Sequence, residues 1–123
     1  MQTEIIPLCL RIMKRGQELS RTVATFIVQK ILVDENGLTY ICQTGERFYA
    51  VCTVLNHMVN DLVQNKKDDQ RLLRHIIRCY LRLAENTKAK EALRKILPAP
   101  LKESEQEIIT DETVKKWHAQ LLQ

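Results

Sequence analysis

Four arginines in the middle of the chain lie at helical spacing: Arg71, Arg74, Arg78 and Arg82. At 100° per residue they fall within about 80° of one another around a helix axis. Such a row of guanidinium groups can bind the phosphates of nucleic acid or an acidic protein, more weakly as salt rises. The same pattern is also typical of a solvated helix face. Tyr80 is the one aromatic candidate for base stacking on this helix, and we expect it to be buried.

His75 and Cys79 are four residues apart and could place two metal ligands on one helix face. A zinc site needs further ligands, and no Cys-x-x-Cys pair or second clustered histidine accompanies them, so no metal site is predicted. The four cysteines have no paired spacing and stand in apolar surroundings. This pattern predicts buried free thiols in a reducing compartment: Cys9, Cys42, Cys52 and Cys79.

Motifs of enzyme catalysis are missing from the sequence. It has no glycine-rich phosphate loop, no Gly-x-Ser-x-Gly and no His-Glu-x-x-His. The carboxylates lie mainly in predicted turns and at predicted helix ends. We therefore predict no catalytic residue and no cofactor, and expect a protein that acts by binding. The net charge of +4 permits a nucleic-acid or acidic protein partner.

Helices must position these side chains. The chain has 123 residues, 45% hydrophobic and 28% charged, with three glycines and three prolines. Scarce glycine and few aromatic residues argue against a sandwich or barrel, so the predicted class is all-α in one domain. No apolar run approaches the ~20 residues of a membrane span, and no signal peptide is recognised, so we expect a soluble protein.

Apolar periodicity predicts where the helices lie. Long helices are predicted over 18–33, 46–65 and 70–85, and shorter ones over 3–14, 38–43, 86–97 and from about 111. Residues 34–37 are predicted to form a turn, whereas Asp69 and Asn86 are predicted helix caps. Trp117 is predicted to anchor the last helix in the core. The predicted core face of the helix over 18–33 consists of Leu19, Val23, Phe26, Ile27, Ile31 and Leu32.

The sequence resembles itself at an offset of 50 residues. Phe26 falls on Ile76, and Glu35 with Asn36 falls on Glu85 with Asn86. This three-helix repeat predicts an armadillo-type α-solenoid, a right-handed superhelix, as a partial array of about two and a half repeats over 1–123. Residues 111–123 would form a capping helix. The first helix is apolar almost all round, so an upstream repeat or a second copy in a homodimer is expected to cover it.

Several runs of sequence carry a family resemblance. They are EIIPLCLRIM at 4–13, LSRTVATFI at 19–27, YICQT at 40–44, ERF at 46–48, RCYLRL at 78–83, AKEALR at 89–94 and WHAQL at 117–121. The chain resembles the Rcd/Caf family, the "required for cell differentiation" armadillo subunit of the Ccr-Not mRNA deadenylase complex. It is similar to the C-terminal half of that domain. It departs from the family at Gly45, where a tyrosine is usual.

The resemblance implies a non-catalytic adaptor in mRNA deadenylation, decay, translational repression, RNA-mediated silencing and transcription regulation. The implied partners are a Not-type scaffold subunit and tryptophan-containing or helical peptides of repressor proteins. Carried over from the family motif, Arg47, Phe48 and Lys88 would bind peptide, with Arg47 and Lys88 placed for cation-π capture of a tryptophan. The implied location is cytoplasmic and nuclear, including mRNA-processing bodies. The alternative is a solenoid that binds single-stranded nucleic acid through the four arginines.

Overall fold

Helices account for the regular structure of the chain. The computed structural model describes residues 5–64, 69–97 and 112–121. Within these ranges the regular elements are all helical and none is a strand, which confirms the all-α class. In chain order they are α1 (Ile5–Arg15), α2 (Glu18–Val33), α3 (Glu35–Cys42), α4 (Gly45–Gln64), α5 (Gln70–Leu83), α6 (Thr87–Ile96) and α7 (Glu112–Leu121).

Short polar side chains fix the starts of α5 and α6. Asp69 accepts a hydrogen bond from the backbone N–H of Leu72 at 3.0 Å, and Asn86 accepts one from Ala89 at 3.1 Å. Both satisfy N–H groups that have no partner inside the helix, so both predicted caps are confirmed. The sequence also predicts that Pro98 and Pro100 end a helix and that Thr110 or Asp111 caps the last one, but these positions lie outside the described residues.

The turn predicted over 34–37 is wrong. Asp34 is the extended residue between α2 and α3, and its carboxylate accepts from the N–H groups of Asn36 at 2.8 Å and Gly37 at 3.3 Å. This cap lets the segment from Glu35 onward form the first turn of α3. A Cβ built on Gly37 would lie 1.9 Å from the carbonyl oxygen of Ile31. The glycine is therefore required by the close approach of α3 to the end of α2.

The helices α2 and α5 pack side by side in the same direction. Gln29 contacts His75, 46 residues further on, and Leu32 contacts Arg82, 50 residues further on. The separation stays nearly constant along the pair, as it does between parallel helices, whereas it would shrink steadily between antiparallel ones. It also matches the 50-residue offset of the sequence repeat, so the two related helices lie next to each other in register.

The long helix α4 forms the centre of the core and packs against α1, α3, α5 and α6. Its apolar side is buried as predicted, with Leu55, Met58 and Val59 removed from solvent. Asn56 joins it to two neighbours, because its amide donates to the carbonyl of Ile96 at 2.7 Å and its oxygen accepts from the hydroxyl of Tyr80. The full burial of Tyr80 raises the pKa of its hydroxyl, so this group remains a donor.

The two glycines of α3 and α4 should respond oppositely to alanine. Replacing Gly37 places a methyl group against the backbone of Ile31, so we expect Gly37→Ala to lower the free energy of unfolding by about 1–3 kcal/mol. A Cβ on Gly45 meets only the Tyr49 ring at 3.9 Å. Gly45→Ala should therefore raise the free energy of unfolding by about 0.5 kcal/mol, because alanine lowers the conformational entropy of the unfolded chain. Urea unfolding measures both. Equal changes in the free energy of unfolding for the two substitutions would contradict the close approach of Gly37 to the backbone of Ile31.

Candidate interaction surfaces

One side of α2 exposes a row of large apolar residues. Leu19 is 73% exposed, Val23 50%, Phe26 41% and Val33 56%. Together with exposed Lys30 they follow a spacing of four, three, four and three, which places them within about 80° around the helix. We call these five residues the α2 outer face. Several large apolar residues exposed along one side of a helix are typical of a site that a partner covers.

The predicted core face of α2 is therefore wrong for three of its six residues, Leu19, Val23 and Phe26. Only Leu32 of that set is fully buried, while Ile27 and Ile31 are partly buried. The buried side instead carries mostly small and polar residues, namely Ala24, Thr25, Val28, Gln29 and Leu32. Small side chains allow α2 to pack closely between α1 and α5, which pushes the bulkier apolar side outward.

The polar residues on the buried side of α2 are hydrogen-bonded. The Thr25 hydroxyl donates to the carbonyl of Arg21 at 2.7 Å. The Gln29 amide oxygen lies 2.6 Å from Nδ1 of His75. A buried polar group costs little when it has such a partner, so this side of α2 is compatible with the core.

A groove of 590 Å³ adjoins the C-terminal half of the α2 outer face. Ile5 of α1 lines it together with Phe26 and Ile31 of α2, and Asp34 and Lys30 also belong to its lining. The ammonium group of Lys30 lies 5.2 Å from the centre of the Phe26 ring. The groove thus combines an apolar wall with one charge of each sign, which can orient a peptide.

His75 lies beside the α2 outer face, with its ring edge-on to Phe26 at 5.2 Å between centroids. Burial lowers its pKa from the ordinary 6.5, and the cations of Arg78, Arg74 and Arg71 lower it further, against the opposing carboxylate of Asp69. The ring is therefore held neutral near pH 7. Cys79, the other half of the predicted i, i+4 pair, is fully buried.

The four arginines of α5 differ in exposure and contacts. Arg71, Arg74 and Arg78 are exposed, and the Arg78 guanidinium lies 4.8 Å from the centre of the partly buried Trp117 ring. Arg82 turns inward and donates to the carbonyls of Leu32 at 2.6 Å and Val33 at 2.9 Å. It also pairs with Glu85 at 2.6 Å. Arg82 therefore completes the end of α2, and the exposed part of the row is reduced to three arginines.

A cavity of 430 Å³ lies between α1, α3 and α4, with Arg47 at its edge. The Arg47 guanidinium stacks on the Tyr40 ring at 3.8 Å and donates to the Tyr40 carbonyl at 3.2 Å. It also donates to the Gln43 side chain at 3.3 Å. One face of the guanidinium is thus occupied from within the chain. We call this space the Arg47 cavity.

The other two residues of the predicted peptide site lie in different environments. Phe48 is only 5% exposed and packs edge-on against Tyr49, so its ring contributes to the core. Lys88 is exposed in the first turn of α6. Gly45 begins α4, and the space above it extends to the Tyr49 ring.

The cysteines are free thiols, as the sequence predicts. All four cysteines are free, three of them buried and Cys42 half-buried. Burial raises the pKa of Cys52 and Cys79 to about 12, so both remain thiols at neutral pH. Among the described residues no three histidine, cysteine or acidic side chains cluster as a metal would require. None of the described helices is long and apolar enough to cross a membrane.

Taken together, the fold and these surfaces define an all-helical protein with an unusually apolar exposed helix face. The chain belongs to the cell differentiation family, Rcd1-like, whose family profile matches residues 1–123. This confirms the resemblance found in the sequence. The family description and the names of the relatives below carry no enzymatic designation.

Two fungal relatives cover almost the whole chain. It is 60% identical over 124 residues to "Cell differentiation protein rcd1" of Schizosaccharomyces pombe, an alignment that covers 99% of this chain and 43% of that protein. It is 52% identical over 124 residues to "Protein CAF40" of Saccharomyces cerevisiae, covering 99% of this chain and 33% of that protein. The chain therefore spans less than half the length of these curated relatives.

His75 should make the stability of the chain depend on pH. Its pKa is lower in the folded state than the 6.5 of an exposed histidine, so its contribution to stability is complete above pH 6.5. As the pH falls below 6.5 the unfolded chain binds a proton first, and folding weakens until the folded pKa is passed. Urea unfolding at about pH 7.5 and 5.5 measures this loss.

His75→Gln is the matched variant for this measurement, since it removes the titrating ring while His57 and His118 remain in both proteins. We expect a smaller loss of stability between the two pH values in the variant. An equal loss in both proteins would contradict the assignment to His75.

Proposed function

We propose that the chain is a non-catalytic adaptor of the Ccr-Not complex, acting in mRNA deadenylation, decay and translational repression. The α2 outer face carries this proposal, because exposed residues such as Leu19 and Val23 are suited to bury an amphipathic partner helix. Membership of the Rcd1-like family supports the same role. Cytoplasmic and nuclear sites of mRNA processing are the proposed locations.

The arrangement of the helices in this proposal is an armadillo-type α-solenoid. The parallel packing of α2 and α5 in register with the 50-residue repeat supports it, since stacked units place equivalent helices side by side. The order of a long helix and a short helix recurs in α2 with α3 and in α5 with α6. The exposed Ile5 and Leu8 of α1 support a further repeat or a second copy as the cover of this end.

The proposed partners are a Not-type scaffold subunit and peptides of repressor proteins. A helical peptide would lie along the α2 outer face. A tryptophan-containing peptide would use the Arg47 cavity, where an indole would stack on the guanidinium face opposite Tyr40. The space above Gly45 would accept part of that peptide, and Lys88 would contribute a second cation.

Introducing negative charge on the α2 outer face tests the proposed helix site. The wild-type chain should co-purify with a purified Not-type scaffold segment and bind helical repressor peptides. Leu19→Glu with Val23→Glu should weaken helical peptide binding at least tenfold, measured by fluorescence anisotropy, because carboxylates would face the apolar side of the peptide.

Gln17→Glu with Thr39→Glu is the matched control, since both positions are exposed and the charge change is equal. Its peptide binding should equal that of the wild type. Failure of the wild-type chain to capture either the scaffold segment or any such peptide would refute the adaptor proposal.

A second candidate function is binding of single-stranded nucleic acid. The three exposed arginines of α5, which are Arg71, Arg74 and Arg78, support it. Against it, Arg82 is engaged with the end of α2, and the Trp117 ring is covered on one side by Arg78. Few stacking groups therefore accompany the charge.

Filter binding of single-stranded RNA over a salt series tests this alternative. Affinity that depends on the arginines should fall with salt, and Arg71→Glu with Arg74→Glu should flatten the log–log slope by about 0.7 for each phosphate that the protein no longer neutralises. Lys90→Glu with Lys95→Glu serves as the control, as both lysines are exposed on α6. A salt-independent signal, or no difference between the two variants, would exclude the arginine site.

A further inference from the structure

A second groove lies between α1 and α4, away from every residue of the α2 outer face. Its floor is apolar and consists of Pro7 and Leu10 from α1 and Ala50 and Val54 from α4, around a volume of 610 Å³. Three of these residues, Pro7, Leu10 and Ala50, also line the Arg47 cavity. The two spaces are thus continuous, and the groove runs along most of the length of α1.

Three cations line the C-terminal part of this groove. Arg11, Lys14 and Arg15 are all exposed, and their spacing of three and one places them on one side of α1. Among the residues that the structure describes, no acidic one lines this part of the groove, and α1 itself contains none. Lys14 and Arg15 also lie in the last turn of α1, where positive charge stabilises a helix end. Arg11 lies one turn earlier, so the helix end does not account for the whole cluster.

We propose that this basic groove binds an acidic amphipathic helix of a protein partner. Aliphatic floor residues fit the apolar side of such a helix, and the three cations fit carboxylates along its edge. From Pro7 to Arg15 the groove is about 12 Å long at 1.5 Å per residue, which matches about two turns of a partner helix.

The composition of the groove favours protein over nucleic acid. Its floor is aliphatic, and the Tyr40 ring in the adjoining Arg47 cavity is already stacked with Arg47. Bases would therefore find no free aromatic platform among the described residues there, whereas leucine or isoleucine side chains of a helix would find an apolar surface. The expected partner is therefore a helix with one apolar side and one acidic side.

A designed peptide of about 18 residues provides the probe, with leucine at helical positions i, i+3, i+4 and i+7 and glutamate at most others. We expect binding by fluorescence anisotropy, weaker at higher salt. The triple variant Arg11→Glu, Lys14→Glu and Arg15→Glu should bind it at least tenfold more weakly. The control Arg71→Glu, Lys90→Glu and Lys95→Glu carries the same change in charge at exposed sites elsewhere and should bind as the wild type does.

A steric variant tests the apolar floor without changing charge. Ala50 is exposed and lines both spaces, so Ala50→Trp should fill the groove and reduce peptide binding by a similar factor. Asn60→Trp, at an exposed position later in α4, should leave peptide binding unchanged. Thermal unfolding of each variant shows that the fold is kept.

Three results would overturn the proposal. One is equal binding by the triple variant and its control. Another is equal binding of a peptide of the same composition with its leucines scrambled, which would reveal charge attraction alone. The third is displacement of the peptide by single-stranded RNA, together with weaker RNA binding by the triple variant. That result would assign the groove to nucleic acid. Leu19→Glu with Val23→Glu leaves the groove intact, so failure here is distinguishable from failure of the adaptor proposal.

Discussion

Close packing of α2 between α1 and α5 determines most of what the molecule presents to solvent. The helix turns its smaller residues inward, where Ala24 and Thr25 allow neighbouring backbones to approach. The inward polar groups are tolerable because each has a partner, as Gln29 has in His75. Phe26 and the other large apolar residues are consequently displaced to the surface. The exposed apolar face of α2 thus arises from the requirements of the core.

The sequence predicted the helices better than it predicted their faces. The bounds of α2 and the caps at Asp69 and Asn86 followed from periodicity and from short polar side chains. The side of α2 that is buried did not, because this helix is apolar on two sides and hydrophobicity alone cannot choose between them. Two patterns could have separated the sides of α2. The large apolar residues from Leu19 to Val33 repeat at a spacing of four and three, and the small residues form a separate set on the buried side.

The errors in the remaining sites also have physical causes. Asp34 to Gly37 is typical of a turn in isolation, but the carboxylate cap and the crossing of α3 over Ile31 turn it into a helix start. Helical spacing suggested one exposed row of four arginines, yet Arg82 donates hydrogen bonds to backbone carbonyls of α2 and is less exposed than the other three. The basic cluster on α1 was visible in the sequence, but its apolar floor is completed by Ala50 and Val54, about forty residues further on.

The inward turn of Arg82 has a consequence for how the chain unfolds. The carbonyls of Leu32 and Val33 at the end of α2 accept hydrogen bonds from the side chain of Arg82 in α5. Neither helix can detach without losing these bonds, so the contact couples α2 to α5. Neighbouring elements that are coupled in this way unfold as one cooperative unit. The described part of the chain should accordingly melt in one transition, without a stable half-folded form.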